Sequence, residues 1–206
     1  MKKNKSSKNW VNAQHKDKYF KQSKIQGFRS RSAFKLIEMN EKFKFLNKKT
    51  NLLDLGSSPG GWSQVASKKI SKGKILAIDL KLMEKINNVE FLKGDMLSPI
   101  IYKRICKYFN KSANVVISDM ASNTSGNKNL DSHRTGELCL KAIDLAKEIL
   151  NKDGIFLSKL FMGSIFTEIY EKAARNFEKV IRYKPLSSKK KSKEIYIYCK
   201  GVKKTN

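Results

Sequence analysis

Cysteine, proline, histidine and acidic residues are all scarce in this chain of 206 residues. Its three cysteines, Cys106, Cys139 and Cys199, lie far apart and form no C-x-x-C pair. That argues against a disulfide framework and a zinc site, and leaves them as reduced, packed thiols. The two histidines, His15 and His133, are too isolated to propose as metal ligands. No window approaches the roughly 18 apolar residues that cross a bilayer, and the N-terminus lacks the apolar centre of a secretory signal. A cytoplasmic protein without membrane attachment is expected.

Positive charge is abundant. Lysine and arginine total 44 against 18 acids, giving a net charge of +26 and a pI near 10.0. An excess of this size points to a polyanionic partner, because each neutralised phosphate releases counterions. RNA, DNA and anionic membrane all qualify, and a lysine-rich genome would supply part of the excess by itself. Local clusters discriminate better. Residues 1–26 carry Lys2, Lys3, Lys5, Lys8, Lys16, Lys18, Lys21 and Lys24 against Asp17 alone, without sustained apolar periodicity, and read as a flexible basic arm. The run "SSKKKSK", Ser187 to Lys193, lies between two apolar segments. It reads as a loop that either faces solvent or meets phosphate through Lys189, Lys190 and Lys191. Apolar residues make up 40%, enough for one cored domain over residues 27–204, expected as a monomer.

Within that domain short apolar runs alternate with helical patterns, the signature of a mostly parallel sheet with helices on both faces. Strands are expected at 51–55, 74–79, 89–93, 113–119 and 154–160, with turn chemistry at Asn151 to Gly154 before the last of these. Two more, 177–183 and 194–200, are close enough that only a hairpin joins them, which adds an antiparallel pair. Helices fit 30–43, 61–70, 133–150 and 164–177, where apolar residues recur at three- and four-residue spacing.

Ligands of such sheets bind outside the carboxyl ends of the strands. Four successive strands bring a carboxylate there: Asp54, Asp79, Asp95 and Asp119. After the first strand comes "DLGSSPGGW", a glycine-rich turn that opens a helix and matches neither dinucleotide nor P-loop spacing. Asp79 follows at about the 20-residue distance where nucleotide-binding sheets place an acid on ribose hydroxyls. An acidic rim suits a ligand that carries adenosine and positive charge. S-adenosylmethionine fits that description, and NAD is the competing reading.

The segments "GFRSRSAFKL", "DLGSSPGGWSQ", "AIDL", "GD", "SDMASN", "SKLFMG" and "SKEIYIY", in this order, resemble the FtsJ/RrmJ family of 2′-O-ribose methyltransferases over residues 26 to 202. The resemblance implies the Rossmann-like α/β fold of class I S-adenosylmethionine-dependent methyltransferases, a seven-stranded, mostly parallel sheet with one antiparallel strand. It implies a catalytic tetrad matching Lys35, Asp119, Lys159 and Glu194, with Lys159 as proton acceptor. For the cofactor it implies Gly60, Trp62, Asp79, Asp95 and Asp119. The implied substrate is ribosomal RNA in the 50S subunit, at a uridine of the 23S A loop. A transfer RNA methyltransferase and a non-catalytic, RNA-binding assembly factor of the same fold are the alternatives. Ser122 stands where the family has proline, which is expected to loosen the loop beside the acceptor ribose.

Lys159 is the unusual residue of this set, an ammonium group in the apolar run "GIFLSKLFMG". A free lysine titrates near ~10.4. Burial and the charge of Lys35 would lower that value, while Asp119 and Glu194 would oppose the change. Lys159 either takes the ribose proton or holds the hydroxyl in line. Arg29 and Arg31, just ahead of Lys35, are candidates to grip RNA phosphate.

Overall fold

Consecutive apolar residues make strands that are buried on both faces, as in the central strands here, while the two edge strands keep exposed residues. In the computed structural model, which describes residues 17–122 and 125–203, the seven strands are β1 (Leu52–Leu55), β2 (Ile75–Asp79), β3 (Glu90–Lys93), β4 (Ala113–Ser118), β5 (Leu150–Phe161), β6 (Phe177–Tyr183) and β7 (Glu194–Val202). They form one sheet in the order β3-β2-β1-β4-β5-β7-β6. Strands β1 to β5 pair in parallel, and β7 runs antiparallel to both β5 and β6. The seven-stranded, mostly parallel α/β sheet expected from the sequence is therefore present.

Helices α1 (Lys18–Ile25), α2 (Ala33–Phe43), α3 (Gly61–Lys69), α4 (Pro99–Phe109), α5 (Lys128–Ile149) and α6 (Phe166–Asn176) complete the described fold. Side chains alternate across the sheet and feed two cores. Leu53, Leu55, Val116 and Phe156 pack with α4, α5 and α6, while Leu52, Val115, Ile117 and Leu157 pack with α2 and α3. Cys139 and Cys199 are buried free thiols and Cys106 is a half-buried one.

Three elements differ from the sequence expectation. Residues 18–25, counted with the basic arm, form a helix because the Asp17 carboxylate caps the amides of Tyr19 and Phe20 and because the Tyr19 ring packs 5.5 Å from Phe34. Residues 1–16 lie outside the described residues. Helix α4 was not anticipated, although Ser98-Pro99 opens it and Ile101, Ile105 and Phe109 recur every four residues on its buried side. The segment Asn151 to Gly154 is not a free turn. It belongs to β5 as an irregularity that shifts pairing from Ala113 with Leu150 to Val115 with Ile155.

Candidate active site

The sheet brings Lys159 and Glu194 together through the pairing of β5 with β7. Lys159 lies opposite Tyr196 and Phe161 opposite Glu194, and residues facing one another across an antiparallel pair share a face. Lys159, Tyr196 and Glu194 therefore point to the side covered by α2. That helix contributes Lys35, whose side chain is buried beside Leu36 and Met39. Asp119 follows β4, the parallel neighbour of β5, with its amide bonded to the Leu55 carbonyl of β1 at 3.2 Å.

The four charged groups and one hydroxyl form a continuous chain of contacts. Lys35 Nζ lies 2.7 Å from Glu194 Oε1 and 2.8 Å from Oε2, and donates to Tyr196 Oη at 3.2 Å. Tyr196 donates onward to Asp119 Oδ1 at 3.0 Å. Lys159 Nζ sits 3.0 Å from the same Oδ1 and also donates to the main-chain carbonyl of Asp119. The side chains are only 9% exposed at Lys159, 11% at Lys35, 12% at Glu194 and 18% at Asp119, so the chain lies nearly out of water. Tyr196 is fully buried and was missed by the sequence reading. Its place two residues after Glu194 on one strand face is the signal that could have found it.

Burial acts on Asp119 to raise its pKa, but the charges of Lys159 and Lys35 outweigh it and hold the carboxyl below the usual aspartate value. Burial, then the charges of Asp119 and Glu194, push the Tyr196 phenol far up and keep it a neutral donor.

Asp119 has a second role in the geometry. With Asp79, Asp95, Gly56 and Ser58 it lines a cavity of about 270 Å³, whose apolar walls include Ile78, Met96 and Leu138. Three of the four rim carboxylates thus meet in one pocket. Asp54 does not: it is completely buried and bonded by Ser63 Oγ at 2.6 Å. Asp79 also shapes the loops, since its two oxygens accept the amides of Ser58 and Lys81 at 2.9 and 2.8 Å.

Gly60 and Trp62 do not line that cavity. Gly60 has φ of +109°, and a Cβ there would come within 2.8 Å of Arg29 Nη1, so only glycine fits. Trp62 is buried, with its indole N–H on the Ser32 carbonyl and its ring against Tyr196. Arg29 donates to the carbonyls of Pro59, Glu84 and Lys85, and Arg31 is held by Asp17 and the Ser187 carbonyl. Lys189, Lys190 and Lys191 are exposed. Ser122 spends its amide on Thr135 Oγ1 and its hydroxyl on the Asp131 carbonyl, so this loop is tied to α5 by bonds of its own.

A family model of FtsJ-like methyltransferases matches residues 28–202. The chain is 47% identical over 200 residues to the ribosomal RNA large subunit methyltransferase E of Pelagibacter ubique strain HTCC1062, covering 97% of this chain and 98% of that one. Among solved structures, a ribosomal RNA methyltransferase from Plasmodium falciparum superposes with a TM-score of 0.76 at 32% identity, over 85% of this chain and 98% of that one. A methyltransferase from Streptococcus mutans, in complex with SAH, has the same fold at a TM-score of 0.53 and 15% identity, over 83% of this chain and 95% of that one. With its sheet order, its glycine-rich turn and these matches along nearly all its length, the chain belongs to the FtsJ-like methyltransferase family.

Proposed function

We propose that this protein, a cytoplasmic monomer, transfers a methyl group from S-adenosylmethionine to a ribose 2′-hydroxyl of ribosomal RNA, at a uridine in the A loop of the 50S subunit. The observation that carries the reading is the dry chain Glu194–Lys35–Tyr196–Asp119–Lys159, which ends on the same Asp119 that lines the acidic pocket. The substrate class is supported by the relatives from Pelagibacter and Plasmodium, both named as ribosomal RNA methyltransferases.

The pocket suits the cofactor. Its apolar walls suit an adenine ring, and Asp79, Asp95 and Asp119 suit hydroxyls and cationic groups, with no lysine of the tetrad intruding on its lining. Gly60 and Trp62 act one step back, Gly60 by letting the turn pack against Arg29 and Trp62 by backing Tyr196. Bound there, S-adenosylmethionine supplies an electrophilic methyl group on a sulfonium.

The protein's own residues handle the hydroxyl. Asp119 offers Lys159 two acceptors, Oδ1 and its main-chain carbonyl. Paired with Asp119 at rest, Lys159 is an ammonium and must first give up one proton to solvent; its two remaining hydrogens can then satisfy both acceptors while its lone pair takes the 2′-hydroxyl proton. Tyr196 stays a donor to Asp119 and keeps that carboxylate aimed, and Glu194 anchors Lys35 at the far end. Proximity and orientation supply the remainder of the rate. Lys189, Lys190 and Lys191 meet RNA phosphate, joined by whatever faces of Arg29 and Arg31 their internal bonds leave open.

The test is transfer of labelled methyl to intact 50S subunits, naked ribosomal RNA and transfer RNA. Label in the subunit, at a uridine ribose, is expected, and label in transfer RNA alone would overturn the substrate. A profile of rate against pH that shows no ionisation between about pH 6 and 10 would overturn Lys159 as the proton acceptor.

A further inference from the structure

The loop that joins β6 to β7 turns inward before it turns out. Ser187 and Ser188 are buried, although they stand in a run of lysines, and the next three residues are exposed. Ser187 is held from two sides. Its amide and hydroxyl donate to Glu38 Oε2 at 3.1 and 3.0 Å, and its carbonyl accepts from Arg31. Glu38 Oε1 takes the Leu186 amide and the Tyr183 hydroxyl, both at 2.7 Å. Burial would raise the pKa of Glu38, but these donors outweigh it, so the acceptor is the carboxylate. With the turn fixed, Ser188 Oγ donates to Glu194 Oε1 at 2.8 Å, on the carboxylate that pairs with Lys35.

The contacts close a ring. Lys35 and Glu38 are three residues apart on α2, so they share a helix face at a fixed separation. From Glu38 the path runs through Ser187 and Ser188 to Glu194, and from Glu194 back to Lys35. Glutamate's terminal torsion is broad and roughly two-fold, so Lys35 alone does not fix the plane of the Glu194 carboxylate. A second donor from another direction does, and among the described residues only the turn supplies one.

We propose that Glu38 is a positioning residue for methyl transfer, holding the Leu186–Ser188 turn so that Ser188 and Lys35 together set the direction of Glu194. The proposal rests on the tetrad acting as in the function above. It makes the inner half of the lysine loop part of the active-site frame, whereas its outer half, Lys189 to Lys191, faces solvent.

The test compares Glu38→Ala, Ser188→Ala and the double variant with the wild type in methyl transfer to 50S subunits, with S-adenosylhomocysteine binding measured by calorimetry. Each single change is expected to lower kcat by about ten- to a hundredfold, the size that slight misplacement of reacting groups produces, while S-adenosylhomocysteine affinity stays unchanged. Because both act through one path, the double variant is expected to be no slower than the slower single one. Should Glu38→Ala melt below the assay temperature, Glu38→Gln, which keeps the side chain's shape, takes its place in the cycle. Wild-type rates in the single variants, or losses that multiply in the double one, would overturn the proposal alone. Wild-type protein that methylates no RNA would overturn the function and this proposal with it.

Discussion

Asp54 and Asp119 stand at the ends of neighbouring strands, and both carboxyl groups are largely withdrawn from water. Their surroundings drive them in opposite directions. Asp119 meets Lys159 at 3.0 Å, feels Lys35 and accepts from Tyr196, and its pKa falls below the ordinary value despite burial. Asp54 has Ser63 as a donor, its Oδ1 has no partner among the described residues, and burial, helped by the charges of Asp119 and Asp79, pushes it up to about 7. One residue type in two adjacent buried places is thus held as an anion in one and pushed toward its protonated form in the other. The difference lies in the two lysines. They make a charged aspartate tolerable in the interior, and their cost in burial is offset by the same pairing.

Lys159→Ala breaks the comparison most strongly, because it strips Asp119 of its nearest cation and makes it resemble Asp54. Transfer to RNA is expected to fall by about 10²- to 10⁴-fold, the usual worth of a positioned acid–base group. S-adenosylhomocysteine binding should persist, since Lys159 does not line the cavity. Undiminished transfer by this variant would remove Lys159 from the chemistry.

Asp54→Asn acts on the other member of the pair and is read in stability. The folded pKa of Asp54, about 7, lies above the ordinary aspartate value of 3.8. Between those values the unfolded chain has released the proton and the folded chain has kept it, so stability falls as pH rises through this window. The penalty is fully present above the folded pKa and absent below the unfolded one. A difference of about three units corresponds to about 4 kcal/mol as an upper figure, at about 1.4 kcal/mol per unit. Asp119 has the opposite sign: its depressed pKa contributes stability above the unfolded value, and that contribution is lost as pH falls. Urea titrations from pH 4.5 to 8 should show Asp54→Asn gaining on the wild type as pH rises. A constant offset between the two would mean that Asp54 is ionised throughout.

How much of this contrast was legible in the sequence depends on which physical signal each residue left. The strands were, because an apolar run bounded by turn residues is a local signal, and so was the rim location of Asp79, Asp95 and Asp119, because a carboxylate at a strand end has one place to go in a parallel sheet. Helix α4 was legible too, in Ser98-Pro99 and a four-residue apolar repeat, although it lies outside the helices expected above. The fate of Asp54 was not legible, since alternation sends it toward α3 and only the packed structure puts Ser63 there, with no partner for Oδ1 among the described residues. Tyr196 and Glu38 were hidden for a related reason: a tyrosine inside an apolar strand and a glutamate on a helix look ordinary until their hydroxyl and carboxylate find partners distant in the chain. Arg29 and Arg31 show the converse. Their charge suggested phosphate, and no local signal foretold that the fold also bonds both guanidinium groups to internal oxygens.

Asp79 and Asp95 give the comparison a third term, carboxylates that remain in contact with water and have no ion pair among the described residues. Neither requires a lysine to be tolerated there, so their charge is available to a cationic ligand. Asp79 is half-buried, and its oxygens are oriented by the amides of Ser58 and Lys81, whereas Asp95 is exposed and its carboxylate accepts from the Leu97 amide. Asp79→Asn keeps the shape and removes the charge. It is expected to weaken S-adenosylmethionine binding about tenfold, about 1.4 kcal/mol, while the rate at saturation stays near wild type. Asp95→Asn should do less, because solvent screens an exposed carboxylate and leaves it under about 1 kcal/mol of pairing energy. Calorimetric titration with S-adenosylhomocysteine orders the two. If Asp79→Asn lowered kcat instead of affinity, Asp79 would belong with Asp119 as part of the reacting frame, and the division of the rim into a binding side and a chemical side would have to be redrawn.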